Sequence, residues 1–284
     1  MGLMNFQQMQ PFAQPESRAL RSGVTAAMHY PMHSGPQARS VDGAPDLTVN
    51  GTVGTLWSAN WASATPDGAT NYLTAAVGNA ALEEIFDLTD LTGQELLFGF
   101  DWQSDGALAT NEALYSWGSN QVGAGLGGYH LYIASSSQIG MSFRGIGSSG
   151  GESTALLSGT AMATSDRYSV VISLVGTAAG VATLAAYRYR HGTGPQDGSQ
   201  QSGVNILGTG GASAPGVNSA YALTLLARRD TSAYNRVVGA TAGSNAKVGN
   251  VWAARCSSVV VGLADQCLAD MVSARGELPQ SLRA

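Results

Sequence analysis

The chain has 284 residues, 44% of them hydrophobic and only 12% charged, with a formal net charge of −5. It holds one lysine, Lys247, and its basic residues cluster only at residues 187–192 (YRYRHG) and at Arg228 and Arg229. That excludes a nucleic-acid or anionic-membrane surface, which needs several placed cations to neutralise phosphate. No run of about eighteen apolar residues occurs, so no helix is expected to span a membrane.

The start, MGLMNFQQMQPFAQPESR, lacks a basic segment followed by an apolar run. The expectation is a soluble chain made in a cytoplasm without a secretory leader. Cys256 and Cys267 form no framework of bridges, no CxxC and no Cys/His cluster, so neither zinc nor any other cofactor is expected. Glycine is abundant, at 37 residues and without a collagen period, which suits many turns between short strands.

Residues 1–45 carry five of the eight Met and five of the nine Pro. Proline at that density opposes helix and ladder alike, so the segment reads as an extended arm, with one short helix at PESRALRSG. From Asp46 onward strands and turns alternate. DLTVNGTV carries a hairpin signal at Asn50-Gly51. LWSANWAS and ATNYLTAAV follow, then QELLFGFDWQ (94–103) and EALYSWGS (112–119). GYHLYIASSSQIGMSFRGIG (128–147) reads as a hairpin, and DRYSVVISLV with VATLAAYRYRHG reads as another around residues 176–180. Residues 192–218 read as a loose Gly/Gln-rich loop, before AYALTLLARR (220–229) and KVGNVWAARC (247–256). Ten to twelve strands at this spacing imply an all-β, two-sheet antiparallel jelly-roll sandwich. The last segment breaks the pattern. Leu263, Cys267 and Met271 recur every four residues, with Asp265 in the first turn and Arg275 in the last, so residues 263–275 read as one amphipathic helix. Gly276 and Pro279 stop it, and its stripe is expected to cover an open side or end of the sandwich.

Candidate chemistry is sparse. Glu84, Asp87 and Asp90 stand three apart, a turn or helix spacing that does not align acids on one strand face. His29 and His33 have a helical metal spacing, but Pro31 lies between them; His130 falls on the polar face of a strand and His191 at a strand end. The Asp/Asn-rich loops SDGALATNE (104–112) and GSNQ (118–121) are of a kind that binds calcium through oxygens, but only Asp105, Asn111 and Glu112 offer such donors. No Gly-x-Ser-x-Gly elbow or P-loop is present. The remaining feature is aromatic. Trp117, Tyr115 and Tyr129 are the candidate sugar-stacking platform, although aromatics on strand patterns more often fill a core.

The order of DLTVNGTVGTLW, PDGATNYLTA, FDLTDLTGQELLFGFDWQ, ALYSWGS, GGYHLYIASSSQIGMSF and DRYSVVISLVGTAAGVATLAAYRYRHG resembles the concanavalin A-like, laminin-G-like jelly roll, over about residues 46–278. The alternating acidic strand motif of glucanase relatives and the paired loop acids of calcium-binding relatives are both missing. With the Pro-rich arm, the Ala/Gly/Ser surface and the ending LADMVSARGELPQSL, the chain resembles bacteriophage virion proteins. The resemblance implies a non-enzymatic virion component, either a capsid decoration or a tail or fibre accessory. It would dock on other virion proteins through residues 1–45 and display a lectin-like sandwich at 46–284 to host glycans. A homo-oligomer, with a trimer as the form the context suggests, goes with this reading. A free-standing lectin is the alternative, and a glycan hydrolase the less favoured one.

Overall fold

The computed structural model describes residues 19–31, 44–50, 62–63, 72–104, 112–118, 127–134, 136–147, 151–163, 165–216, 222–225, 227–229, 237–239, 246–274 and 277–284. In chain order the elements are β1 (Val24–Tyr30), β2 (Thr48–Asn50), β3 (Ala62–Ser63), β4 (Tyr72–Thr74), α1 (Ala80–Phe86), β5 (Glu95–Ser104) and β6 (Glu112–Gly118). There follow β7 (Gly128–Ile133), β8 (Ile139–Arg144), β9 (Ser153–Leu156), β10 (Arg167–Ala178), β11 (Val181–Arg190) and β12 (Gly194–Asn205). The chain closes with β13 (Leu223–Leu225), β14 (Ala227–Arg229), β15 (Val237–Gly239), β16 (Ala246–Cys256) and α2 (Leu263–Ser273).

Two seven-stranded antiparallel sheets stack as a jelly-roll sandwich. The first runs β1-β16-β5-β10-β11-β12, with β3 also on β16; the second runs β2-β4-β13-β6-β7-β8-β9; β14 and β15 form a small separate pair. Strand alternation sends every second side chain inward. Leu96, Phe98, Phe100 and Trp102 of β5 and Val170, Ile172 and Leu174 of β10 meet Tyr115, Trp117, Tyr129, Leu131 and Phe143 from the second sheet. Fully burying an aliphatic or aromatic side chain of this size contributes about 1.5–3 kcal/mol. Phe86 of α1 stacks on Trp117 with ring centroids 5.2 Å apart, and Phe98 meets Tyr115 edge-on at 5.4 Å.

The short acidic segment is a helix under the sandwich. Asn79 caps α1 by accepting from the Leu82 N–H at 3.1 Å, Leu82, Ile85 and Phe86 turn inward, and Glu84 stays exposed. The hairpins β7-β8 and β10-β11 stand where the sequence puts them.

Two expectations are corrected. The extended arm does not reach residue 45, because β1 is an integral strand paired with β16 from Val24 to Tyr30. Met28 and Tyr30 alternate into the core, and the Tyr30 hydroxyl donates to the Pro45 carbonyl at 2.9 Å. Pro31 follows the strand directly and never interrupts its ladder. Residues 19–23 are not helical either; Leu20 bridges Arg283, tying this stretch to the C-terminal end. Residues 15–18 of the expected short helix lie outside the described residues. The second correction is β12, which occupies residues 194–205 of the stretch read as a loose loop. As an edge strand it needs only one partner, and β11 supplies it from Val181 through Arg190. The register shifts at two places, where the Gly- and Gln-rich sequence bulges.

The closing helix α2 lies on the outer face of the first sheet and does not cap an edge. Leu263, Ala264, Cys267, Leu268 and Met271 bury against Leu97, Val171, Trp252, Ala254 and Cys256. Residues 251–256 belong to the single strand β16, and 257–262 turn into the helix. Gly262, in the left-handed region at φ 77°, makes that turn. Arg275 and Gly276, expected at the helix end, lie outside the described residues. The Asp270 carboxylate accepts from the Ser281 N–H at 2.8 Å and its hydroxyl at 2.7 Å, which fastens the last residues to α2. No described helix is long and apolar enough to cross a membrane.

Candidate binding face

The three residues expected to form an aromatic platform are core residues. Tyr115, Trp117 and Tyr129 are 2%, 1% and 4% exposed. Each polar atom is satisfied by backbone. The Tyr115 hydroxyl donates to the Gly99 carbonyl at 2.6 Å, the Tyr129 hydroxyl to that of Phe86 at 2.9 Å, and Trp117 Nε1 to that of Gly216 at 3.3 Å. Burial pushes both phenols well above their ordinary range. Their strand parity turns them between the sheets, where no ligand reaches them.

The half-buried aromatics lie elsewhere. Because α2 packs over Leu97, Val171 and Trp252, the outer face of β11 stays open beside it. Tyr187 and Tyr189 alternate outward there, each packed on one side against the cluster under α2. Their two-residue spacing separates them by about 7 Å. His191 continues the stripe just past the strand, its ring 5.4 Å from that of Tyr189 and at 67° to it. On the neighbouring edge strand Pro195 pairs with Tyr189 and the exposed Gln200 with Ala185.

Two buried carboxylates stand behind this stripe, each held by a serine of β10. The Ser169 hydroxyl donates to Asp101 Oδ1 at 2.5 Å, and the Ser173 hydroxyl to Glu95 Oε1 at 2.5 Å. Arg167 adds a 3.5 Å ion pair to Asp101. His191 Nε2 lies 2.9 Å from the Ser169 oxygen. With its own proton directed at Asp101, that oxygen accepts from an Nε2–H, which sets the imidazole tautomer. The order Asp–Ser–His therefore differs from a nucleophilic triad, in which the imidazole takes the serine proton. Ser169 is also fully buried.

Beside Glu95 a cavity of about 350 Å³ opens between this face and the turn leading into α2, with Tyr187, Thr183 and Gln200 in its wall. Burial raises the Glu95 carboxyl above the usual carboxylate range, against the smaller opposing pull of the Ser173 hydroxyl and the Val260 N–H. Tyr187 is raised too, first by burial and then by the charges of Asp265 and Glu95.

The other candidates are structural or outside the described residues. His29 is buried, with Nε2 2.8 Å from Asn250 Oδ1. His130 sits on the outer face of the second sheet, in a cross-strand row with Thr224, Ser116, Ser142 and Thr154, and is also buried. Asp87 binds Thr89 at its own turn. Both thiols are free and buried, and burial pushes each up to about 12, which leaves them unreactive. His33, Trp57, Trp61, Asp105 and Asn111 lie outside the described residues. No group of three metal-ligating side chains occurs among the described residues. The sequence signal that locates the open face is the alternation Tyr-x-Tyr-x-His within YRYRHG, weighed above only for its arginines.

No protein-family model matches the chain, and no curated protein matches it. Among solved structures it is similar to the binding domain of botulinum neurotoxin DC in complex with SialylT, at 9% identity and TM-score 0.47, over 84% of this chain and about half (49%) of that one. It is similar to the lectin UEA-II complexed with galactose, at 10% identity and TM-score 0.44, over 82% and 99% of the two chains. It is also similar to an endo-β-1,4-glucuronan lyase from the fungus Trichoderma reesei, at 11% identity and TM-score 0.42, over 81% and 95%. These likenesses are distant and assign the open face no ligand.

Proposed function

We propose that the protein is a non-catalytic, lectin-like sandwich that contacts glycans through the outer face of β11, within a bacteriophage particle. The supporting observation is the half-buried stripe Tyr187–Tyr189–His191. Rings fixed by packing on one side and open on the other offer apolar faces to sugar rings at little entropic cost. His191, Gln200 and Thr183 supply adjacent donors and acceptors for hydroxyl groups.

A binding role without catalysis fits the placement of the acids. Glu95 and Asp101 share one face of β5 but stand six residues apart, a separation of roughly 20 Å. The paired carboxyls of glycoside hydrolases stand roughly 5–9.5 Å apart. The expected result on a glycan array is binding to a defined set of polysaccharides. Tyr189→Ala should weaken it about tenfold or more, with little loss of thermal stability because the ring is only half-buried. Unchanged affinity in Tyr189→Ala and His191→Ala would count against this face.

The virion setting rests on the sequence, in its low charge and its Pro- and Met-rich opening. A docking segment within residues 1–45 would leave out Val24–Tyr30, since β1 is committed to the sheet. Mass spectrometry of purified phage particles is expected to find the chain as a structural component. Its absence from particles, with glycan binding intact, would leave the free-standing lectin.

A further inference from the structure

Glu95 is 3% exposed, yet it lines a cavity of about 350 Å³. Oε1 is engaged by the Ser173 hydroxyl, whereas Oε2 meets only the Val260 N–H at 3.5 Å, the outer edge of hydrogen-bond range. No Lys or Arg among the described residues pairs with this carboxylate. A buried carboxylate without a counter-charge is costly, and an incoming cation relieves that cost. The rest of the cavity sets the shape of such a cation. Val175 and Ala185 form an apolar wall, and Val259 and Val261 stand at the rim, 47% and 93% exposed. Tyr187 offers a ring, whose face attracts cations. The helix end that begins here carries positive character, which Asp265 in its first turn offsets.

We infer that this cavity binds a primary ammonium carried on a short apolar chain. The ammonium donates to Glu95 Oε2, and the chain lies between Val175, Ala185 and the valine turn. A carboxylate of equal length is repelled, and an alcohol brings one hydrogen bond but no charge. The site adjoins the proposed glycan contact and shares Tyr187, Thr183 and Gln200 with it, whereas Glu95, Val175 and Ala185 belong to the cavity alone and Tyr189 and His191 lie outside it.

The test is a ligand-observed NMR titration of the full chain with n-butylammonium, with butyrate and 1-butanol as equal-length controls. The expected result is saturable binding of n-butylammonium alone. Glu95→Gln, which keeps a partner for Ser173, should weaken it about tenfold or more. Ala185→Leu should abolish it by filling the cavity with the carboxylate left in place. A thermal melt checks that each variant folds, and Glu95→Gln decides alone if Ala185→Leu does not. The inference is overturned by equal binding in Glu95→Gln, by butyrate or 1-butanol binding as tightly as n-butylammonium, or by no saturable binding to the unmodified chain. Glycan affinity in Glu95→Gln keeps the two readings apart, since it should stay unchanged whichever way the amine titration falls.

Discussion

Gly99→Ala is expected to lower the stability of the fold by about 3 kcal/mol or more, the upper end of what overpacking costs. A Cβ at Gly99 would stand 1.9 Å from Trp252 Cε2 and 2.1 Å from Nε1. The indole has nowhere to retreat. It is fully buried beneath α2, on β16, while β5 is hydrogen-bonded on both sides, to β10 and β16. The other side is closed as well, because the Tyr115 hydroxyl donates to the carbonyls of both Gly99 and Trp252. The missing side chain at 99 is thus the seat of the tryptophan that carries the closing helix. Urea unfolding reads the loss as a lower midpoint at unchanged slope. The double variant Gly99→Ala with Trp252→Leu should recover part of it, since the two residues are coupled by one contact. A double variant no more stable than Gly99→Ala alone would contradict the steric account.

Arg188→Met is expected to cost about 3 kcal/mol. Arg188 alternates opposite to Tyr187 and Tyr189 and is 4% exposed. Its guanidinium donates to the carbonyls of Gly159 at 2.9 Å, Asp197 at 2.9 Å and Ala161 at 3.3 Å. Methionine fills the same space but leaves three carbonyl oxygens without that donor. Burial lowers the arginine from its ordinary range, with the charges of Tyr168 and Asp197 opposing. Arg188→Lys should restore only part of the loss, since a point ammonium cannot span the three oxygens as a planar fork does. Limited proteolysis should find residues 157–163 cut faster in Arg188→Met, because the guanidinium fastens them to β11 and β12. Equal cutting rates would remove that role.

The sandwich was legible because its central strands carry strong alternation. Phe98, Phe100 and Trp102, like Val170, Ile172 and Leu174, state their inward faces in the sequence itself. Two edge strands were not legible, for physical reasons. In β1 the signal of Met28 and Tyr30 is diluted by Ala26, Ala27 and His29 and overshadowed by flanking prolines. In β12 the Gly and Gln side chains carry no burial pattern, and only the ladder offered by β11 makes a strand of them. The sites of aromatic residues were readable by spacing but not by side. Tyr115, Trp117 and Tyr129 share the alternation of Tyr187 and Tyr189, yet the first sheet lies over the first three and only part of α2 borders the other two. Which face of a strand a helix leaves open is a tertiary outcome that local sequence does not encode. The buried serine–carboxylate pairs were hidden for a similar reason. Ser169 and Asp101, and Ser173 and Glu95, meet only through the register of β10 on β5.

A lectin-like role stands or falls on glycan contact at the outer face of β11. Saturation-transfer NMR between a glycan selected on the array and the protein's aromatic protons tests it most directly. The expected result is transfer centred on the rings of Tyr187, Tyr189 and His191, lost in the Tyr189→Ala variant. Transfer centred instead on Tyr132 and His130, on the outer face of the second sheet, would contradict it.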